Sequence, residues 1–323
     1  MVAQATAISL EKACSEFIKD AESRELQEST LRKYRQLVKQ MRAFATSDGR
    51  LFVNQWGLET MRQFRQSWRD KGLTVVKKLE RLRAFFRFAQ ESGWIDTNAA
   101  TKLKNPVVKQ APTMPFTREE MIRILAACDK YTDSYGRTGQ SNAKRVRALV
   151  LLLRYSGLRI GDAAACQVER LNAGKLFLYT HKTNVPVYCK LPCCVVEALE
   201  SITKASERYW FWSGAGSVEN NTDTWRRKLN RLFALANVKN AHPHRFRDTF
   251  AVELLLAAVP LERVSVLLGH SSIKVTEKHY SPWVRARQEQ LEADLERTWA
   301  RDPIILAETK GTPEVHGELG VVN

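Results

Sequence analysis

Long hydrophobic runs are missing from this 323-residue chain. The longest apolar stretch, around residues 148–153, is bounded by Arg147 and Arg154. A helical membrane span needs about 20 apolar residues, so no membrane partner is expected. The N-terminus has no basic-then-apolar leader, which argues against secretion and for a cytoplasmic protein. Cysteine is sparse and unpatterned, with six residues at 14, 128, 166, 189, 193 and 194. Cys193 and Cys194 are adjacent and cannot easily bridge separate elements, and no zinc-ligand spacing occurs. Cys189, Cys193 and His181 lack the paired second half of a metal site, so reduced thiols are the better reading. A Gly-rich phosphate loop ending in Gly-Lys-Ser/Thr is also absent. No internal repeat or low-complexity tract is visible.

Acidic residues are the other shortage: 35 against 51 basic ones, a net charge of +16. Residues 1–110 carry 21 basic and 12 acidic side chains, residues 111–285 carry 26 and 15, and the tail from 286 carries 4 and 8. A basic body with an acidic tail points to a polyanionic partner held partly by counterion release.

The first hundred residues show helical periodicity. Tyr34, Leu37, Val38, Met41, Phe44 and Ala45 form one apolar face, and Arg32, Arg35, Lys39 and Arg42 form a basic stripe. Residues 73–90 repeat the design, with Val76, Leu79, Leu82, Phe86 and Ala89 inward and Lys77, Lys78, Arg81 and Arg87 mainly elsewhere. Shorter helices over 8–22 and 58–70 complete a small bundle. A solvated face accounts for either basic stripe alone, but two in one small domain favour phosphate contacts. Residues 101–117 hold Pro106, Pro112 and Pro115 and read as an extended linker. Thr117-Arg-Glu-Glu120 then reads as a capping box opening a helix.

The second part is mixed. The pattern predicts helices over 147–155 and 161–167, then strands over 175–179 and 185–190 joined at Lys182-Thr183-Asn184. Helices follow over 222–236, 244–257, 260–268 and 272–280. A further helix is expected over 288–299, with the last twenty residues disordered. The polar segment 136–142 fits no element.

This half holds a set of residues that suits phosphodiester chemistry. Such cleavage needs a nucleophile, charge stabilisation and a proton for the departing oxygen. Tyr280 offers a phenol, whose ordinary pKa near 10 calls for a base or a strongly cationic site. Arg159 and Arg247 offer guanidiniums that fork onto phosphate oxygens, which lysine cannot match. His270 adds a hydrogen bond. His244, three residues before Arg247, shares its helix face and can act as a base. Lys182 at the hairpin tip can protonate the leaving group, although Lys175 and Lys190 flank the same hairpin. Asp162 can orient Arg159 or a histidine. His242 and His279 allow a metal-dependent nuclease as a rival reading. Singly, each of these residues is more often structural; their joint occurrence in order is what distinguishes the set.

The run Ser156-Gly157-Leu158-Arg159, the hairpin Lys182, His244-Arg-Phe-Arg247, Leu268-Gly269-His270 and Tyr280 ten residues on resembles the tyrosine recombinase, or phage integrase, family. The segment Phe85-Phe-Arg-Phe-Ala89 through Gly93-Trp-Ile95 resembles the end of that family's core-binding domain. Phe246 stands where leucine is common and Asp248 where histidine is common. Gly161-Asp162 replaces a more usual Ser-Glu. The resemblance implies a mostly α fold with a small β-sheet. Residues 8–100 would form a helical, SAM-like core-binding bundle and 101–117 a linker. Residues 118–285 would form an α+β catalytic domain, and 286–323 a helix and acidic tail. It further implies a site-specific recombinase acting on double-stranded DNA through a 3′-phosphotyrosyl intermediate. Tyr280 would be the nucleophile, Lys182 the acid, Arg159, Arg247 and His270 the stabilising groups, His244 acid/base and Asp162 support. No cofactor, ATP, metal or small-molecule substrate is implied. The protein would be a monomer free in solution and a homotetramer on DNA, with the helix at 288–299 docking on a neighbour. A type IB topoisomerase and a catalytically decayed DNA-binding protein are the alternatives.

Overall fold

Helical periodicity in the first hundred residues becomes α1 (Leu10–Ser23), α2 (Glu28–Asp48), α3 (Leu58–Gln66) and α4 (Leu73–Glu91). The computed structural model describes residues 7–108, 114–132 and 139–304. By its contacts the chain divides into two units, 1–110 and 111–323. In the first, the Ser9 hydroxyl accepts the Lys12 N–H and starts α1, while Gly49, at φ 72°, ends α2 in the left-handed region. Phe17, Met41, Phe64, Phe85 and Phe86 are buried together, and Phe17 meets Phe85 edge to face. Helix α3 is shorter than the pattern predicts and is capped by Ser67, whose hydroxyl donates to the Phe64 carbonyl. The core face of α4 includes Val75 and Phe85, and Val76 is only partly buried.

The second unit begins with α5 (Arg118–Asp129). Its capping box forms: Thr117 Oγ1 accepts the Glu120 N–H at 3.2 Å, and the Glu120 carboxylate accepts the Thr117 N–H at 2.9 Å. Helix α6 (Gly139–Ser156) buries Val146 and every residue from Ala148 to Leu153, which makes it the central helix. A helix apolar on all sides must be surrounded, and α6 packs against α5, α7 (Ile160–Ala164), α8 (Cys193–Glu200) and α10 (His244–Leu256). The expected strands form as β2 (Lys175–Tyr179) and β3 (Pro186–Lys190), and a two-residue strand β1 (Leu171–Asn172) joins β2. All pairing is antiparallel. Leu176 opposite Cys189 and Leu178 opposite Val187 face the core, while Phe177 opposite Tyr188 faces out. Helices α9 (Val218–Leu235), α11 (Leu261–Leu267) and α12 (Ile273–Trp299) complete the unit.

The sequence predicts two helices over 272–280 and 288–299, and α12 is two helical stretches joined at a kink, the second beginning earlier than predicted. Pro282 lacks the N–H that would bond the Lys278 carbonyl and its ring crowds that oxygen. The break falls at Tyr280, whose φ of −115° and ψ of 15° are not helical. The segment 136–142 lies partly, and the expected disordered tail almost wholly, outside the described residues.

The turn between α11 and α12 requires glycine. Gly269 has φ 59°, and a Cβ there would lie 2.7 Å from Val187 Cγ2 and 3.1 Å from Thr180 Cγ2. A side chain in the left-handed region costs about 1–2 kcal/mol before any clash. Gly269→Ala is therefore expected to lose about 2 kcal/mol or more in urea unfolding; an unchanged midpoint would contradict this packing.

Candidate active site

Arg247 sits at the centre of the second unit. It lies on the first turn of α10, where Pro243 precedes the helix and Arg245, Phe246, Arg247 and Asp248 are all buried. The whole residue is only 2% exposed. A buried cation is costly unless its donors find acceptors. Here one Nη donates to the Gly157 carbonyl at 2.8 Å and the other to the Leu268 carbonyl at 2.6 Å. Gly157 (φ 63°) and Gly269 (φ 59°) make the two turns that aim these carbonyls inward. One guanidinium thus joins the Ser156–Arg159 turn to the Leu268–His270 turn. Burial and the like charge of Arg159 lower its pKa to about 10, against the opposing pull of Tyr280, Asp162 and Asp248.

Arg159 leaves the first turn as the residue capping α7, and its Nη1 is buried without a hydrogen-bond partner. One turn on, Asp162 Oδ1 accepts the His181 N–H at 2.8 Å, while Oδ2 is buried and unpartnered. Burial raises the Asp162 pKa, opposed by the His181 N–H and by Arg159 and Arg247. Asp162 therefore anchors the backbone of the β2–β3 hairpin. On the far side of the tip, the Thr183 hydroxyl donates to the Gly269 carbonyl at 3.4 Å. Lys182 lies between these two anchored residues and is exposed at the tip.

His270 follows the second turn, and its Nδ1 is 2.7 Å from Thr276 Oγ1 on α12. Burial, then Arg247 and Arg159, push its pKa down to about 3. His244 is pushed down to about 4 by burial and Arg247. Its side chain is nonetheless 55% exposed, so solvent screens it more than His270. Both rings are neutral at neutral pH. Tyr280 closes the cluster: its residue surface is 3% exposed, packed with Ala251, Val252, Leu255, Val264 and Leu268. Its hydroxyl donates to Asp248 Oδ1 at 3.0 Å. Burial and the negative charge of Asp248 raise the phenol pKa, and Arg247 and Arg159 oppose that rise. Burial in turn raises Asp248 to about 6. Arg159, Arg247, His244, His270 and Tyr280 therefore lie within electrostatic reach of one another around a buried, cation-rich centre. No group of His, Cys, Asp and Glu suited to a metal occurs among the described residues.

A sequence model of the phage integrase family matches residues 115–283, just over half of the chain. This chain belongs to the phage integrase family, the tyrosine recombinases. A tyrosine recombinase of Pseudothermotoga lettingae is 25% identical over 219 residues, covering 66% of this chain and 71% of its own. Tyrosine recombinase XerC of Oceanobacillus iheyensis is 25% identical over 265 residues, covering 77% and 84%. Among solved structures, a lambda integrase fragment (75–356), a dimer bound to a COC′ core site, superimposes with a TM-score of 0.67 at 18% identity. It covers 84% of this chain and 95% of that one. A lambda integrase tetramer bound to a Holliday junction gives 0.67 at 18% identity, over 84% and 80%. The structural likeness establishes the fold: a mostly helical protein with a small three-stranded sheet.

Within this tyrosine recombinase, the basic stripes of the first unit behave unevenly. Arg32, Lys39 and Arg87 are exposed, and Arg81 is half-buried. Arg35 bridges Glu22 and Glu28, Arg42 pairs with Glu11, and Lys77 with Glu80. Lys78 departs from the expected outward face. It is buried, with Nζ 2.8 Å from Asp70 and over the Trp68 ring at 4.3 Å, because it shares the inner face of α4 with Val75 and Leu82. Four partners were not read from the sequence: the Gly157 and Leu268 carbonyls on Arg247, Thr276 on His270, and Asp248 on Tyr280. Asp248 had one available signal, its position four residues after His244 on the same helix face.

Arg247→Lys keeps the charge but cannot span both carbonyls, so a loss of about 2–4 kcal/mol in chemical unfolding is expected. Wild-type stability with Arg247→Lys would reject the tie. His270 should stay neutral by NMR titration down to about 3. The unfolded chain takes up that proton near 6.5 while the folded chain refuses it, so this histidine makes stability fall as pH drops from 6.5 toward 3. His270→Gln should remove that part of the acid-side decline. A His270 titration near 6.5 would contradict the burial and charge described.

Proposed function

We propose that this chain cleaves and rejoins double-stranded DNA at specific sites, through a covalent 3′-phosphotyrosyl intermediate on Tyr280. The observation that carries the reading is a buried phenol beside two guanidiniums, one of which has an unpartnered buried donor. An anion is what that centre lacks. A phosphodiester oxygen accepting from Arg159 would satisfy its orphaned Nη1 and relieve the repulsion between the two arginines.

In the proposed reaction, the Tyr280 oxygen forms a bond to phosphorus as the bond from phosphorus to the 5′ oxygen breaks. The departing oxygen takes a proton from Lys182, which the hairpin presents between its two anchor points. Arg159, Arg247 and His270 stabilise the charge on the non-bridging oxygens, and His270 as a neutral ring has a nitrogen bonded to Thr276. Asp162 supports by fixing the hairpin backbone, and His244 serves acid–base exchange. The 5′ hydroxyl of another strand then attacks the phosphotyrosine and reverses the step. Bond energy is kept in the covalent link, so the scheme calls for neither ATP nor metal. The first unit, 8–100, would clasp DNA with Arg32, Lys39, Arg81 and Arg87, and with Arg35, Arg42 and Lys77 once released from their exposed carboxylate partners. Such pairs hold weakly in water, so phosphates can compete for the cations. Lys78 is withdrawn from this set. The lambda integrase tetramer on a Holliday junction is the basis for proposing a multimer on DNA.

A nicked suicide substrate tests the reading. The wild-type chain should form a covalent protein–DNA adduct in EDTA without nucleotide, and Tyr280→Phe should form none while binding DNA normally. An adduct from Tyr280→Phe would refute the assigned nucleophile. Arg159→Lys should lose most cleavage, because a point charge cannot replace the fork.

A further inference from the structure

The Tyr280 proton must leave as the phenol attacks, and the structure aims that proton at an aspartate. We propose that Asp248 is the catalytic base that removes the Tyr280 proton, with His244 relaying it to solvent. The proposal rests on the covalent mechanism above and assigns its first proton transfer.

The geometry is direct. The phenol donates to Asp248 Oδ1 at 3.0 Å, within the range a base needs. No hydrogen bond joins Tyr280 to His244. Instead, His244 Nε2 lies 3.8 Å from the same Oδ1, and its ring is largely exposed, so it stands between the carboxylate and water. Asp248 itself is 5% exposed, and its second oxygen is buried with no partner. A carboxylate left half satisfied in the interior is costly, and neutralisation by a proton reduces that cost. The fold holds it there from two sides. It is rigid on α10 next to Arg247, and the kink at Pro282 turns Tyr280 out of helical geometry onto it.

In the step, the Tyr280 oxygen–phosphorus bond forms and the phosphorus–O5′ bond breaks, its electron pair leaving on O5′. The phenol proton passes to Asp248 Oδ1, and Lys182 supplies the proton that O5′ takes up. On reversal, His244 returns a proton from solvent to Asp248, which passes it to the departing phenolate, and Lys182 takes the proton of the attacking 5′ hydroxyl. The charged and titratable groups around this carboxylate are Tyr280 from α12 and Arg245, Arg247 and His244 from α10; Arg159 acts on the phenol from the turn before α7. Burial places the Asp248 pKa at about 6, between an ordinary carboxylate and the phenol. The carboxyl must be ionised to accept a proton, so activity is lost as pH falls through about 6 or somewhat above, since bound phosphate adds negative charge nearby.

The test is single-turnover cleavage of a suicide substrate by the full chain, with pH varied and with an oxygen or a sulfur at the bridging 5′ position. A thiol is far more acidic than an alcohol, so a sulfur leaving group needs no proton from Lys182 but leaves the need for a base intact. Asp248→Asn keeps size and a hydrogen-bond acceptor but cannot take the proton. It should cleave about 10²–10⁴-fold more slowly at unchanged DNA affinity. Sulfur should not rescue it, whereas sulfur should rescue Lys182→Ala. The acid limb of the wild-type profile should vanish in Asp248→Asn. Cleavage within threefold of wild type, or rescue by sulfur, would overturn the base. If Asp248→Asn does not fold, the wild-type profile alone decides: an acid limb near 6 supports the base and a flat profile overturns it. Absence of any adduct from wild type would overturn the underlying mechanism as well, and is distinguishable by that.

Discussion

A positive charge enclosed without a carboxylate bonded to it organises the second unit. Arg247 could have been stabilised by an ion pair; instead it binds two backbone carbonyls from separate turns. That choice has two consequences. It fixes the turns carrying Arg159 and His270 relative to one another, so both groups are held on one frame. It also leaves the charge only partly compensated, by Asp162 and Asp248 without a direct bond, because carbonyl dipoles attract a guanidinium without neutralising it. Both histidines are depressed below their ordinary range, by burial first and by that charge second. In the proposed reading the site is preorganised for an anion, and the folded chain bears that cost before the anion arrives.

Placing a tyrosine in such a site requires the chain to leave regular geometry. An uninterrupted α12 would continue through Tyr280 with the phenol direction set by helical φ and ψ. Pro282 forbids that continuation, and the resulting kink directs the hydroxyl onto α10. The apolar residues around the ring, Val252, Leu255, Val264 and Leu268, hold it there by burial. The same apolar packing that positions the phenol also desolvates it.

Much of this was legible in the sequence, for identifiable reasons. Helix α6 announced itself as an apolar run too short for a membrane, and the hairpin by alternation around Lys182-Thr183-Asn184. Arg159, His244, Arg247, His270 and Tyr280 were visible as residue types at telling separations, and the fold brings them together. What local pattern could not supply were partners distant in the chain. The Gly157 and Leu268 carbonyls are 90 and 21 residues from Arg247, and a carbonyl has no sequence signature. Lys78 was read outward because charge usually is; Trp68 and Asp70, eight and more residues away, gave it a reason to turn in. The break in α12 is local and therefore legible, because Pro282 signals an end to periodicity.

Asp248 shows how a departure from a family pattern differs from a loss. Where a histidine would add another cation-forming ring to a cation-rich centre, the aspartate adds a carboxylate that accepts a hydrogen bond from the Tyr280 hydroxyl. That reverses the local electrostatic balance. Two guanidiniums favour the phenolate, yet burial and Asp248 together outweigh them, and the phenol pKa rises. Tyr280, the proposed nucleophile, is therefore protonated and held in place by that hydrogen bond. A phosphate entering between Arg159 and Arg247 would not ionise it, since a second negative charge opposes phenolate formation further. In the proposed mechanism deprotonation then accompanies bond formation to phosphorus, when the negative charge moves off the phenol and onto oxygens the arginines would face. In such a site the proton acceptor has to touch the hydroxyl already, and the only carboxylate that does so among the described residues is Asp248.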